Sequence, residues 1–389
     1  MSNFAPSTSA RVSELDSVRG LAAFVVLLHH LWETVLPDQN TFPLQGFPGL
    51  GHERLIDIAF WISVTPLRLL FCGHAAVGVF FVLSGFALMK SLEGPRRVGY
   101  LPFIVRRIFR IYPPFALVIL VAALASWLIR PEAIPGRDWL NEYWRTPVTP
   151  GLVLGHLGMI ATGGYFTSLD SSMWTLVHEM RISLVFPLLA ACAVRDPRRT
   201  LAVSLAAFVV LSISHLTAAA TAPIPWPDLK MLVLSVLQSL RYCLFFVFGI
   251  LLARRPTFLQ LPASSSPGFR AVLWVVTLVL LAVPYTAGYV ELCYALGAFM
   301  LLDLCMRSPA VRTFLRHSTT LWLGKVSYSL YLVHLVVLIA TVYLLHKLLP
   351  LAAILPLVVV LSLLAAQLLN RTVELPSSAL GKRLAAQLS

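Results

Sequence analysis

Arginine and histidine residues in the first apolar segment of the chain are spaced for chemistry on one face of a helix. His30 follows Arg19 by eleven positions, and eleven steps of about 100° return to within about 20° of the starting direction, whereas His29 points roughly 80° away. The same steps rise about 16 Å. A surface cation and a deep imidazole suit a phosphate-bearing donor on a long arm. The alternative is that Arg19 is a topological anchor and His30 a hydrogen bonder in helix packing.

A second polar group begins near residue 172. On a helix its side chains divide between two faces, with Trp174, His178 and Arg181 on one and Ser172, Glu179 and Ser183 on the other. Glu179 comes out about 10 Å below the surface at which this helix enters the membrane, nearly level with His30. A carboxylate there would orient the imidazole and raise its basicity, and Glu33 is the second candidate for this role. The alternative is an internal ion pair between Glu179 and Arg241.

A third group is the polar stripe formed by Ser327, Tyr331 and His334, at offsets of four and three residues. His334 comes out about 20 Å above the cytoplasmic surface. We therefore predict that His334, His30 and Glu179 meet in one polar chamber, although such a stripe is also typical of contacts between membrane helices.

A basic segment at 100–114 is predicted to be a loop that ends at Pro113 and Pro114. Within it, Arg107 and Arg110 are one helical turn apart and can form a paired fork for phosphate oxygens. We expect them, with Arg19, at the cytoplasmic mouth of the chamber. Attraction to anionic lipid headgroups is the alternative.

The elements that position these residues are predicted to be membrane helices. Of the 389 residues, 58% are hydrophobic and only 12% are charged, whereas soluble domains carry about a quarter charged residues. A window of about 19 residues finds about ten apolar spans. They cover residues 19–36, 74–92, 115–129, 172–194, 201–220, 231–253, 271–288, 289–306, 321–346 and 351–369. The stretch 55–71 is predicted to be interfacial.

The distribution of positive charge predicts the topology. Lys and Arg cluster in alternate loops, within 11–19, 96–110, 195–199, 254–270, 307–325 and 371–383, and such loops are cytoplasmic. We therefore predict an all-α, polytopic transmembrane bundle with both termini in the cytoplasm. Residues 1–14 and 373–389 are predicted to be cytoplasmic tails, and 15–372 one multi-pass domain in the cell (inner) membrane.

Composition also excludes several classes of protein. The net charge of +13 is scattered between apolar runs without a nucleic-acid-binding signature. The five cysteines form no CxxC pair, so neither a metal site nor a disulfide framework is predicted. The expected contacts are membrane lipids rather than nucleic acid, and no oligomeric state is predicted.

In their order along the chain, these pieces resemble the membrane acyltransferase-3 family, whose members O-acylate cell-surface glycans and other extracytoplasmic acceptors. The matching stretches are Leu15-Asp16-Ser-Val-Arg19-Gly20 with His30, Phe80-Phe-Val-Leu-Ser84-Gly85-Phe86, Arg107-Ile-Phe-Arg110-Ile-Tyr112-Pro113, Trp174-Thr-Leu-Val-His178-Glu179, Ser327-Tyr-Ser-Leu-Tyr331-Leu-Val-His334 and Glu374-Leu-Pro376. They span nearly the whole chain. The long segment 32–73 departs from the family pattern, and we expect no fused extracytoplasmic domain after the last span.

The resemblance implies an acyl-CoA donor, acetyl-CoA being favoured, and a polysaccharide or glycolipid acceptor outside the cytoplasm. It implies His30 as the catalytic group, with Glu179, and it places Arg19, Arg107 and Arg110 near the donor phosphates. Supporting positions are Asp16, Glu33, Ser84, Trp174, Tyr331 and His334.

Two chemical routes are open for such a transfer. His30 acts as a general base on the acceptor hydroxyl, or it carries the acyl group as an acyl-histidine. Tyr331, Ser84 and Trp174 have hydrogen-bond donors of the kind that stabilise an oxyanion. A proton-coupled transporter or exporter is the alternative function, because buried His, Glu and Arg also suit proton movement.

Overall fold

The structure, a computed structural model, describes residues 13–35, 61–62, 65–93, 99–159, 168–221, 227–255, 266–284 and 290–388, without the side chains of 214–221 and 227–229. Most of the predicted N-terminal tail, most of the segment 32–73 and the arginines at 96 and 97 lie outside the described residues. The described part of the predicted interfacial stretch includes a 3₁₀-helix at Pro66–Leu70.

The described residues form α-helices and short 3₁₀ and π turns, without a β-strand among them. The α-helices are α1 Ser13–Val35, α2 Gly73–Leu92, α3 Tyr100–Ile129, α4 Asp138–Asn141, α5 Pro150–Leu157, α6 Trp174–Arg195, α7 Pro197–Thr221, α8 Pro227–Arg254, α9 Pro267–Ala282, α10 Val290–Arg307, α11 Pro309–Leu315, α12 Ser318–Leu345, α13 Leu351–Leu369 and α14 Leu375–Gln387.

Seven helical stretches in the described part of the chain are long and apolar enough to cross a membrane. They are Ser13–Val35, Gly73–Leu92, Tyr100–Ile129, Ser171–Arg195, Lys230–Arg254, Ser318–Leu345 and Leu351–Gln387. The prediction of an all-α, polytopic membrane bundle is confirmed. Helices α7, α9 and α10 occupy the other three predicted ranges. The count of ten spans and the cytoplasmic location of both termini stay predictions.

Helices α1 and α12 touch backbone to backbone at a pair of glycines. A Cβ atom added at Gly20 would lie 2.5 Å from the backbone nitrogen of Gly324, closer than real Cβ atoms come. Without a side chain at either position the helices approach closely, as small residues allow in membrane bundles. His30 and His334, each ten residues beyond its glycine, also touch. The two helices therefore run parallel over this length.

The basic segment before Pro113 is helical, so the predicted loop at 100–114 is wrong. Helix α3 runs unbroken through Pro113 and Pro114, which remove two backbone donors. A membrane helix tolerates this loss when neighbouring groups bond the freed backbone. The prolines free the carbonyls of Phe109 and Arg110, and one residue further on the Tyr328 hydroxyl of α12 donates to the Ile111 carbonyl at 2.7 Å, which ties α3 to α12 at this level. Arg107 and Arg110 are thus held on a helix that also crosses the membrane.

The C-terminal residues continue the last span as a helix. A π-helical turn at Asn370–Glu374 joins α13 to α14, and the stretch Leu351–Gln387 contains 37 residues. At about 1.5 Å per residue it exceeds a hydrocarbon core of about 30 Å. Helix α14 therefore extends beyond the core, and there it packs against α3. The domain boundary predicted at residue 372 stays a prediction.

Candidate active site

A cavity of about 460 Å³ opens between helices α1, α2, α3, α6, α12 and α14. Its polar and charged lining consists of Arg19, Ser84, Ser91, Arg106, Arg107, Arg110, Thr175, Glu179, Ser327, Tyr328, Tyr331, Ser378 and Lys382. We name it the arginine cavity. The structure thus brings together six of the predicted catalytic, donor-binding and supporting residues, which are Arg19, Ser84, Arg107, Arg110, Glu179 and Tyr331, and with them Ser327 of the polar stripe.

Glu179 forms an ion pair at the wall of the arginine cavity. Its Oε1 accepts hydrogen bonds from Arg107 Nη2 at 2.7 Å and from Ser84 Oγ at 3.0 Å. Arg107 also donates from Nε to Ser183 Oγ at 3.1 Å. These charge-assisted bonds neutralise a carboxylate that would be costly to bury alone.

The predicted guanidinium fork of Arg107 and Arg110 is therefore corrected. Arg107 is only 8% exposed because it holds Glu179, whereas Arg110 and Arg106 are exposed at the cavity. Arg110 is the member of the predicted pair whose charge remains available to a bound anion.

The alternative ion pair between Glu179 and Arg241 is wrong. Arg241 of α8 pairs with Glu291 of α10, and the Tyr242 hydroxyl donates to the same carboxylate at 3.1 Å. Arg107 takes the place of Arg241 because α3 is helical at this level and packs against α6.

Arg19 lies at the cavity beside the acidic residue one turn before it. Its Nη1 donates to Asp16 Oδ1 at 3.5 Å, and the side chain lines the arginine cavity. Asp16 is thus placed to hold the guanidinium. The backbone of Asp16 also meets Gly324 of α12, so the first turns of α1 are fixed against α12.

Tyr331 connects the arginine cavity to the histidines. Its hydroxyl donates to the Ser172 carbonyl and accepts from the Thr175 hydroxyl, each at 2.8 Å. Its ring centroid lies 5.8 Å from that of His334. The Tyr331 hydroxyl proton is thus hydrogen-bonded to the Ser172 carbonyl, and the Ser84 hydroxyl proton to Glu179. Neither of these predicted oxyanion donors is free in this arrangement.

His30 and His334 form a directional pair. His334 Nδ1 lies 2.8 Å from the Tyr331 carbonyl and 3.2 Å from the Leu330 carbonyl, and carbonyls only accept, so this nitrogen carries the proton. His334 Nε2 is then an acceptor, and it lies 2.9 Å from His30 Nδ1. His30 Nδ1 therefore donates, both to His334 and to the Val26 carbonyl at 3.0 Å. The Nε2 atom of His30 keeps the lone pair, which is the state required of a base.

The predicted orientation of His30 by Glu179 or Glu33 is corrected. Both carboxylates lie outside hydrogen-bond distance of His30 among the described residues, because Glu179 is bound to Arg107 and Glu33 lies 3.9 Å from Nδ1 of His29. His334 has the orienting position instead. The prediction was that His30, His334 and Glu179 meet in one chamber. His30 and His334 do meet, but Glu179 lies on the wall of the arginine cavity, whose lining includes neither histidine.

His29 and His30 face different neighbours, as the helical spacing predicts. His29 Nδ1 donates to the Phe71 carbonyl at 2.9 Å, and its ring lies edge-on to His74, with centroids 5.6 Å apart. The ring of His30 instead stacks on Trp139, with centroids 5.8 Å apart and planes at 25°.

Trp174 lies away from the arginine cavity. Its ring packs edge-on against His178, with centroids 5.6 Å apart, and His178 Nδ1 contacts Ser239 Oγ of α8 at 2.8 Å. The predicted division of this helix into two polar faces is correct, since this face meets α8 and the Glu179 face meets the cavity. Trp174 contributes to packing here and is not placed as an oxyanion donor.

Several residues of the site were missed by sequence reasoning. Trp139 lies in the short helix α4. Just before it, Arg137 Nη1 donates to the Thr34 and Val35 carbonyls at 3.2 Å each and ties this stretch to the end of α1. Lys382 and Ser378 lie beyond the last predicted span. Neither place has a periodic pattern that indicates which side chain turns inward.

Asp170 was also missed, and it lies fully buried just before the α6 span. Its Oδ1 accepts from the Ser172 amide at 2.9 Å and the Ser172 hydroxyl at 2.6 Å, while Oδ2 has no hydrogen-bond partner among the described residues. Burial raises the pKa of the Asp170 carboxyl to about 7, against the opposing effect of the Ser172 hydrogen bonds. This carboxyl can therefore hold a proton near neutral pH.

Comparisons with known proteins agree with this architecture. The family model described as an acyltransferase domain, of the acyltransferase-3 type, matches residues 12–371. A Streptomyces mycarofaciens protein described as acyltransferase MdmB is 27% identical over 349 residues, which cover 86% of this chain and 80% of that protein. No solved structure matches the chain. Because the family model covers nearly the whole chain, the protein belongs to the acyltransferase-3 family of membrane acyltransferases.

Proposed function

We propose that the protein transfers an acyl group, with acetyl favoured, from cytoplasmic acyl-CoA to a hydroxyl of an extracytoplasmic polysaccharide, glycolipid or lipid-linked sugar in the cell (inner) membrane. The observation that carries the proposal is the path from a cationic cavity to a histidine whose Nε2 keeps its lone pair. Arg19, Arg106, Arg110 and Lys382 line the cavity. Tyr331 links it to His334 and His30.

The residues of the cavity fit a donor that carries phosphates at one end and a thioester at the other. Arginine and lysine bind phosphate oxygens through charge-assisted hydrogen bonds. Tyr331 lies seven residues beyond Gly324, about 10 Å deeper along α12, where Phe80 packs on its ring with centroids 5.3 Å apart. The cations thus bind the phosphates, and the apolar inner end receives the arm and thioester.

The chemical step follows from the protonation of the two histidines. His30 Nε2 takes the proton of the acceptor hydroxyl as its oxygen attacks the thioester carbonyl. The carbon–sulfur bond breaks, and the departing thiolate takes the proton from His30. Throughout, His334 Nε2 accepts the Nδ1 proton of His30 and holds the ring in place. A general base of this kind contributes about 10² to 10⁴ in rate.

The stacked ring of Trp139 suggests where the acceptor enters. Trp139 belongs to the stretch between α3 and α5, which the positive-inside pattern puts on the extracytoplasmic side. A sugar ring can pack its apolar face on an indole. Donor and acceptor would then reach His30 from opposite sides of the membrane.

The test uses the purified protein in liposomes with acetyl-CoA and a lipid or polysaccharide extract as acceptor. We expect free thiol to appear only when both acetyl-CoA and acceptor are present. A proton-coupled transporter would instead move protons across the liposome membrane without releasing thiol. Proton movement in the absence of thiol release would overturn the proposal.

A further inference from the structure

The C-terminal helix forms one wall of the arginine cavity. Ser378 and Lys382 of α14 line it together with Arg106 and Arg110 of α3. The two α14 residues are four positions apart, so they share one face of the helix. The family match ends at residue 371, before α14 begins.

Close packing holds this face of α14 against α3. A Cβ atom added at Gly381 would collide with the Cβ atom of Phe109, so the contact requires glycine at 381. Phe109 lies three residues after Arg106 and directly before Arg110. The contact therefore brings Lys382, next to Gly381, to the same level of α3 as these two arginines.

The charges around this contact favour an anion. Arg106, Arg110 and Lys382 are all exposed, and within the described residues none of the three has a carboxylate at salt-bridge distance. The Glu179 carboxylate, which also lines the cavity, is bound by Arg107. Gathering like charges at one mouth is unfavourable unless a bound anion compensates them.

We propose that Lys382, assisted by the Ser378 hydroxyl, binds a phosphate group of the acyl-CoA donor, so that α14 is part of the donor site. The inference rests on the proposed function, because acyl-CoA supplies the phosphates. The Lys382 ammonium gives up to three hydrogen-bond donors and Ser378 a fourth. Helix α14 reaches beyond the hydrocarbon core, where the polar part of the donor remains in water.

Anionic lipid headgroups present the same phosphate chemistry at this end of the bundle. The full-length protein is therefore studied in nanodiscs of phosphatidylcholine alone and in nanodiscs that also contain phosphatidylglycerol. Binding of CoA itself is measured by calorimetry. The variants are Lys382→Ala, Lys382→Arg and, as the matched control one position along the same helix, Arg383→Ala. All replace exposed side chains, and thermal midpoints check their folding.

In phosphatidylcholine, we expect Lys382→Ala to bind CoA roughly 5- to 20-fold more weakly, as loss of a charged phosphate contact implies. The CoA affinity of Lys382→Arg should remain within about threefold of that of the wild type, since arginine keeps the charge. Arg383→Ala should bind CoA as tightly as the wild type. If the wild type binds CoA and Lys382→Ala binds it equally well, the inference is wrong. The inference is also wrong if Lys382→Ala lowers CoA binding only in the nanodiscs that contain phosphatidylglycerol, because Lys382 then binds lipid. A wild type that binds no CoA in either nanodisc overturns the proposed donor itself.

Discussion

His334 Nε2 lies 2.9 Å from His30 Nδ1, although 304 residues separate the two histidines in the chain. The contact exists because α1 and α12 run parallel from the close approach of Gly20 and Gly324. The carbonyls of Leu330 and Tyr331 accept the hydrogen bond of the His334 Nδ1–H group, so the proton stays on Nδ1. The backbone of α12 thus determines which nitrogen of His30 keeps its lone pair.

His334 is expected to be a positioning residue. Replacing it with Ala removes the acceptor for His30 Nδ1 but leaves the base itself, so we expect kcat to fall about 10- to 100-fold, at or below the lower end of the about 10² to 10⁴ of general base assistance. The KM for the acyl donor should change little. Gln, whose amide oxygen accepts a hydrogen bond, should restore part of kcat. Steady-state kinetics with varied donor measure both constants. Equal activity of Ala and Gln variants, or a change confined to KM, would contradict this role.

The glycine contact is expected to control stability and activity together. Gly20→Ala places a methyl group against the Gly324 backbone, and overpacking of this kind costs about 1 to 3 kcal/mol. We expect a lower thermal midpoint and reduced acyl transfer, because the helices that carry the two histidines are pushed apart. Gly268→Ala is the control, since a Cβ there meets nothing within 4 Å. If both variants behave like the wild type, the contact does not hold the histidines together.

Arg107 and Arg110 are expected to respond differently to substitution. Arg110→Ala should mainly raise the KM for acyl donor, and Lys should rescue it only partly. Arg107→Ala should also destabilise the protein, by about 3 kcal/mol, because it leaves the Glu179 carboxylate without its partner. Thermal unfolding and donor saturation curves separate the two effects. Equal thermal midpoints for the two variants would count against the ion pair, and unchanged donor saturation in Arg110→Ala against its role in donor binding.

Asp170 is expected to make stability depend on pH. Burial raises its folded pKa from 3.8 to about 7, so between these values the folded state holds a proton that the unfolded state has released. Its contribution to the free energy of unfolding is therefore greatest at low pH and is lost as the pH rises through about 7. Thermal midpoints of wild type and Asp170→Asn at pH 5 and pH 8 measure it.

The Asn variant should show a smaller fall in midpoint between the two values, because a neutral amide does not ionise. Asp196→Asn, at an exposed position before α7, is the control and should keep the pH dependence of the wild type. Identical pH profiles for wild type and Asp170→Asn would show that Asp170 does not titrate in this range.

The long apolar runs predict the bundle because a helix that crosses the lipid needs about 20 apolar residues. Positions within one helix were also predictable, since the turn of 3.6 residues separates His29 from His30 and Trp174 from Glu179. The partner of Glu179 was not, because it depends on how α3 packs against α6. The two prolines of α3 concealed this, since a local pattern cannot show that the helix continues through them beside Tyr328 of α12.

Trp139 and Lys382 illustrate a second limit of the sequence. Both lie outside the apolar spans, where no repeating pattern relates one side chain to the next. Their inward direction comes from long-range contacts, the Arg137 bonds to the end of α1 in one case and the Gly381 contact with Phe109 in the other. Neither contact has a signal in the local sequence.

The proposal that His30 is the base for transfer across the membrane is tested with sealed, inside-out vesicles. Acetyl-CoA labelled in the acetyl group is supplied to the cytoplasmic face, which is outside, and label in glycan or lipid of the lumenal face is measured. We expect the wild type to transfer label and His30→Ala to transfer it about 10²- to 10⁴-fold more slowly. His29→Ala should keep most of the wild-type rate. All three proteins must be inserted equally. If His30→Ala transfers label at the wild-type rate, or if His29→Ala and His30→Ala lose activity equally, the assignment of His30 as the base is contradicted.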